Sequence, residues 1–172
     1  MLQEAQQPIA EARGTRVAIV ASEYNRRHVD GMLHAATARL EGAGAVVEVV
    51  RVPGAFEIPV VAAALARRPV GRPDAILCLG VIWQGETNHA DHVGEAVTRA
   101  LMDIQVQSGI PCIHEVLTVR SEDQARARCL EPTTNRGIEA ASTAVAMARL
   151  MRTLSPAGGQ SMGRPGEAGR AP

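Results

Sequence analysis

The chain reads as an α/β protein, a three-layer sandwich with a central, mainly four-stranded parallel sheet flanked by helices on both faces. Three observations predict this. Short apolar runs alternate with longer segments of helical spacing. The runs are apolar throughout or rich in β-branched residues, as strands covered on both faces are. The 172 residues suffice for one domain with a single sizeable core.

Taken in order, Val17-Ala18-Ile19-Val20-Ala21 is a buried strand ending at Ser22-Glu23-Tyr24-Asn25. From about Arg27 to Leu40, apolar positions at Val29, Leu33, Ala36 and Leu40 have helical spacing, closed by Gly42 and Gly44. Ala45 to Val52 is a second strand, stopped by Pro53-Gly54. Glu57 to Arg68 follows as a helix, with Pro59 tolerable only in its first turn. Ala75 to Leu79 is the third strand, and a long helix covers about Ala90 to Gln107. Pro111 to Thr118 is the fourth strand, Ser121 to Cys129 a short helix and Asn135 to Leu154 a long one. Ser121-Glu122-Asp123-Gln124 has the form of a capping box, which suits a helix start. The expected organisation is an arm over 1–14, a domain over 15–154, and a flexible Gly-, Pro-, Ser- and Arg-rich tail over 155–172.

Composition narrows the chemistry. Aromatic residues make up only 2% of the chain, so the core must be built from Ala, Val, Leu and Ile in close approach. A net charge of zero argues against nucleic acid or an anionic membrane as the principal partner. No apolar run approaches the ~20 residues of a membrane span. The start, MLQEAQQPIAEARG, lacks the basic-then-apolar layout of a signal peptide. Cys78, Cys112 and Cys129 are odd in number and lack metal or redox spacing, which reads as a cytoplasmic protein with reduced thiols. All 18 basic residues are Arg. Lysine Schiff bases, lysine-anchored pyridoxal phosphate and the lysine-dependent phosphate loop are therefore excluded. Any imine formed here takes its amine from a substrate.

In parallel sheets, ligands bind beyond the carboxyl ends of the strands. The four expected exits are Ser22 to Asn25, Pro53 to Glu57, Val81 to His89, and Thr118 onward. Tyr24, Phe56 and Trp83, the only large aromatics, all fall there, where a planar heterocycle would find stacking faces. His89 opens the long helix, where backbone amides favour an anion. Beside that anion it can move protons near neutral pH, or it can serve only as a local hydrogen-bonding residue. Gly85 lets the backbone approach a ligand, and Thr87 and Asn88 add hydrogen-bonding groups. His89-Ala90-Asp91-His92 diverges around a helix, so no metal site is expected. Glu57 can accept hydrogen bonds from sugar-like hydroxyls or act only as a helix-start charge. Arg128 and Arg136 can hold phosphate or stand solvated.

Four segments in register carry a resemblance: Val52-Pro53-Gly54-Ala55-Phe56-Glu57-Ile58-Pro59, Leu79-Gly80 with Gly85-Glu86-Thr87-Asn88-His89, Gln124-Ala125-Arg126-Ala127-Arg128, and Asn135-Arg136-Gly137-Ile138-Glu139-Ala140-Ala141. From about Val17 to Leu154 the chain resembles the lumazine synthase family, of flavodoxin-like fold. The resemblance implies condensation of 5-amino-6-(D-ribitylamino)uracil with 3,4-dihydroxy-2-butanone 4-phosphate, the penultimate step of riboflavin biosynthesis, without metal or organic cofactor. It implies that Tyr24 stacks on the pyrimidine and that Ala55, Phe56 and Glu57 line the ribityl site. Val81, Ile82 and Trp83 would border the uracil, Glu86 and Thr87 would lie at the phosphate, and His89 would transfer protons. Family sites lie between adjacent subunits of homopentamers. His114, Arg128 and Arg136 match positions supplied by the neighbour, with Arg128 on the phosphate. The chain departs from the usual pattern in four places. His114 stands where Phe is usual, Trp83-Gln84 replaces Ile-Arg, Arg136 replaces Lys, and Tyr24 replaces Phe or Trp. The pyrimidine-side lining is thereby more polar at His114 and bulkier at Trp83. A non-catalytic flavin- or lumazine-binding shell would keep the stacking faces but need neither His89 nor Arg128. A generic nucleotide-binding module should hold phosphate at Ser22-Glu23-Tyr24-Asn25, which is glycine-free and carries a carboxylate.

Overall fold

Four parallel strands in the order β2-β1-β3-β4 form the centre of the molecule in the computed structural model, which describes residues 9–154. The elements run β1 (Arg16–Ser22), α1 (Arg26–Gly42), β2 (Val46–Val52), a 3₁₀ turn (Ala55–Glu57), α2 (Ile58–Ala66), β3 (Ala75–Trp83), α3 (His89–Ser108), β4 (Cys112–Val119), α4 (Glu122–Cys129) and α5 (Arg136–Leu154). Alternation of side chains along each strand divides the core in two. Val17, Ile19 and Ala21 of β1 face α1, α4 and α5, whereas Ala18 and Val20 face α2 and α3. The expected three layers are present. The expected tail over 155–172 and most of the expected arm lie outside the described residues.

The largest difference from the sequence reading lies at the end of β3. Strand β3 runs on to Trp83, so Val81, Ile82 and Trp83 belong to a strand, not to the loop that follows. Gly80 does not end the strand. A Cβ there would lie 3.2 Å from Val116, 3.3 Å from Ile58 and 3.4 Å from Ala55, so glycine allows close approach of neighbours in mid-strand. Pairing with β4 carries the strand onward through Trp83↔Val119, and the Gln84 amide still donates to the Val119 carbonyl at 2.8 Å. Glu57 lies in the 3₁₀ turn and α2 ends at Ala66, with Pro59 in the first turn as anticipated.

The aromatic-poor core depends on small residues. Helix α5 lays Ala140, Ala141, Ala144, Val145 and Ala148 into the core it shares with α1. At the start of that seam a Cβ on Gly137 would strike the Met32 backbone, and one on Gly31 would strike the Cys129 carbonyl. Asn135, buried beside them, donates to the Cys129 carbonyl at 2.6 Å and the Gly31 carbonyl at 3.2 Å while accepting from the Gly137 amide at 2.9 Å. Asn-Arg-Gly is thus in part a clasp joining α1, α4 and α5. At α4 the Ser121 hydroxyl accepts from the Gln124 amide at 3.2 Å, while the Gln124 side chain accepts from the Arg120 amide at 2.9 Å. The capping box closes one residue earlier than its usual form.

Candidate active site

The chain leaves β1 toward β2 and leaves β3 toward β4, so the connections diverge between these central strands and open a crevice at their carboxyl ends. An open cavity of about 280 Å³ occupies it. Its lining brings together Tyr24, Ala55, Phe56, Glu57, Val81, Ile82, Trp83 and His89, all singled out in the sequence. It adds Asn25, Gly54 and Val93, which were not.

Local backbone geometry explains the arrangement. Asn25 adopts φ 58°, a left-handed conformation that asparagine tolerates better than most residues. From there its carboxamide donates to the Val81 carbonyl at 2.7 Å, pinning the β1 exit to the end of β3. The Glu23 and Tyr24 amides continue toward the β2 exit, donating to the Val52 carbonyl at 2.8 Å and the Pro53 carbonyl at 3.0 Å. Tyr24 and Phe56 consequently stand 74% and 63% exposed, apolar faces turned outward at the cavity. Glu57 folds back over Gly54, where a Cβ would lie 2.9 Å from its carboxylate. An Asn between an aromatic strand exit and a helix start was the available sign of the pinning residue.

His89 is the first residue of the 20-residue helix α3, and its amide donates to the Thr87 hydroxyl at 3.4 Å. Glu86 and Thr87 lie exposed on the preceding loop, outside the cavity lining. A Cβ at Gly85 would meet nothing within 4 Å, so the chain's own packing does not require glycine there.

His114, Arg128 and Arg136 do not line this cavity. His114 projects from β4 toward α3, 2.9 Å from the Thr98 hydroxyl, which itself donates to the Gly94 carbonyl at 2.7 Å. The hydroxyl therefore accepts from His114 Nε2–H. Burial lowers the His114 pKa, partly offset by a contact with its own backbone. Arg128 donates to the Gln124 carbonyl at 3.3 Å, and among the described residues no carboxylate pairs with it. Arg136 is held by Glu139 and by Glu115, at 3.5 Å from the latter. A second cavity of about 440 Å³ lies at the opposite edge, lined by Arg67, Arg68 and Arg72. Arg72 donates to the Ala66 and Ser108 carbonyls and Arg68 pairs with Glu48, so these two guanidiniums are already engaged. Among the described residues no group of three or more His, Cys, Asp or Glu side chains gathers as a metal site requires. No helix among them is long and apolar enough to cross a membrane.

A switch-point crevice with aromatic faces, one carboxylate and one imidazole marks an open-sheet α/β protein. The family model described as 6,7-dimethyl-8-ribityllumazine synthase matches residues 14–152. The 6,7-dimethyl-8-ribityllumazine synthase of Thermus thermophilus is 38% identical over 151 residues, 86% of this chain and 95% of the relative. That of Kineococcus radiotolerans is 41% identical over 150 residues, 85% and 91% of the two chains. That of Xanthomonas oryzae is 38% identical over 142 residues, 81% and 91%. The chain belongs to the 6,7-dimethyl-8-ribityllumazine synthase family.

Proposed function

We propose that the chain condenses 5-amino-6-(D-ribitylamino)uracil with 3,4-dihydroxy-2-butanone 4-phosphate, giving 6,7-dimethyl-8-ribityllumazine, phosphate and water. The pyrimidine's primary amine attacks the ketone and water leaves to form the imine. Phosphate is eliminated to leave an enol that becomes a second carbonyl. The ribitylamino nitrogen attacks this carbonyl, and a second water leaves as the ring closes. The amine belongs to the substrate, so a chain without lysine can run this chemistry. Tyr24 stacks on the planar ring, Val81, Ile82 and Trp83 border it, and Ala55, Phe56 and Glu57 receive the ribityl chain, Glu57 accepting its hydroxyls. The phosphate lies at the start of α3, against the amides of Glu86 and Thr87. There the helix dipole favours negative charge. His89 takes and returns protons during imine formation and elimination. Much of the acceleration comes from holding both reactants together.

The observation that carries the reading is the incompleteness of one chain's cavity. It offers outward-facing aromatic surfaces, a carboxylate and an imidazole, but no guanidinium for a phosphate. We place Arg128 of an adjacent copy there, with His114 completing the pyrimidine side and Arg136 beside it, in homopentamers working in the cytoplasm. Subunit mixing tests this. His89→Ala and Arg128→Ala proteins, each weakly active, are co-assembled. Where His89 and Arg128 come from different copies, about a quarter of the sites in a random mixture are intact and activity returns. No recovery would place both residues in one subunit's site.

A further inference from the structure

His28 is a polar side chain with no place in the chemistry above, yet it is buried to 6% exposure on α1. Its Nε2 lies 3.1 Å from the Glu122 carboxylate at the start of α4, and the ring meets Trp83 edge to face, centroids 5.9 Å apart and planes at 76°. Trp83 in turn lines the active-site cavity. Aromatic rings in this geometry hold each other's orientation, and a carboxylate facing Nε2 fixes which nitrogen carries the proton. Glu122 also accepts from Arg27 at 3.4 Å, so its carboxylate is anchored from two side chains of α1.

We propose that His28 is a positioning residue: clamped by Glu122, it sets the angle of the Trp83 indole and thereby the affinity of the site for the planar pyrimidine reactant. Nothing in the arrangement reaches the phosphate side, where Glu86, Thr87 and His89 lie. The effect is therefore selective for one of the two reactants. This rests on the assignment of the cavity to the pyrimidine.

Trp83 is the only tryptophan, so intrinsic emission reports on this ring alone. The experiment pairs steady-state kinetics with titration of Trp83 emission by the lumazine product, in the wild-type assembly and in His28→Ala, Glu122→Ala, Glu122→Gln and Trp83→Phe proteins. Glu122 is largely exposed, so Glu122→Ala releases the imidazole without opening the core. His28→Ala and Glu122→Ala are each expected to raise the KM for the pyrimidine reactant about three- to tenfold, the range for one lost aromatic contact. The KM for the butanone phosphate should stay unchanged and Trp83 emission anisotropy should fall. Glu122→Gln, which keeps an acceptor in place, restores wild-type behaviour, and His28→Ala has no further effect once Trp83→Phe is present. A normal wild-type titration with unchanged variants, or both KM values rising together, would overturn the positioning role alone. A wild-type protein whose Trp83 emission ignores the product would overturn the cavity assignment and this role with it.

Discussion

Glu115 Oε2 lies 3.5 Å from the Arg136 guanidinium, yet this carboxyl is harder to ionise than a free one. Burial on β4 dominates, Arg136 opposes it, and Glu139 adds repulsion, leaving the Glu115 pKa raised from 4.5 to about 7. The folded chain therefore holds a proton that the unfolded chain has already released. Stability from this group is fully present below pH 4.5 and is lost as pH rises toward about 7. Replacing it with Gln removes the loss. The stability of Glu115→Gln relative to wild type should climb between these limits by up to about 3 kcal/mol. Urea unfolding at several pH values measures it, and a flat difference would contradict the buried-acid account.

Gly137→Ala should be severely destabilising, because its methyl group would meet the Met32 backbone, which cannot move without displacing α1. The expected loss is about 3 kcal/mol or more. Gly42→Ala is the matched control: it has open space and no positive φ, so it should be neutral or gain about 0.5 kcal/mol. Thermal unfolding of the two variants side by side separates a steric requirement from a general cost of replacing glycine.

The three thiols should be unreactive in the folded protein. Burial pushes Cys112 up to about 11 and Cys129 up to about 12, and raises Cys78 well above its ordinary value. A colourimetric thiol reagent at pH 8 should label none of them natively and all of them in denaturant. Rapid native labelling would show that these strands and helices open.

His89→Ala should lower turnover by about 10²-fold or more while substrate affinities change little and the assembly stays intact. Activity above the uncatalysed condensation should survive, since positioning persists. Single-turnover rates across pH check it, and an unchanged rate and profile would reduce His89 to a local hydrogen-bonding residue.

Arg128→Ala should weaken use of the butanone phosphate by about 2 kcal/mol or more, with a smaller effect on the pyrimidine reactant. Equal losses for both reactants would assign the guanidinium a structural role.

Much of this molecule was legible from periodicity alone, because β1 and β3 are apolar runs, β2 and β4 are rich in β-branched residues, and each helix carries its core face at regular spacing. The end of β3, read at Leu79, was misplaced for a physical reason at Gly80. Glycine commonly marks a turn, but here it lets Ala55 and Val116 close on a strand that continues to Trp83. That continuation depends on pairing with Val119, a partner 36 residues away in the sequence, which no local pattern encodes. Asn25 carried a local sign in its place between strand exit and helix start, but its partner did not show, since the hydrogen bond to Val81 exists only once two strands lie side by side. His114, Arg128 and Arg136 entered the site by resemblance, as residues of a neighbouring copy, and the single chain keeps all three outside its cavity. The dual character of Asn135-Arg136-Gly137 was also invisible locally: two of its members fasten helices, and the third answers the charge of Glu115.

The empty space around Gly85 has a consequence for how this protein can change. A Cβ at position 85 would meet nothing within 4 Å, so the position carries no obligation to the core, whereas a Cβ at Gly31 or Gly137 would strike neighbouring backbone. Position 85 is thus free of the packing that fixes Gly31 and Gly137. Most members of a library randomised at position 85 should therefore still fold, and their activities would report on the loop and not on the scaffold. If the phosphate lies at the start of α3 as proposed, the survivors would map what it tolerates, undistorted by losses to misfolding.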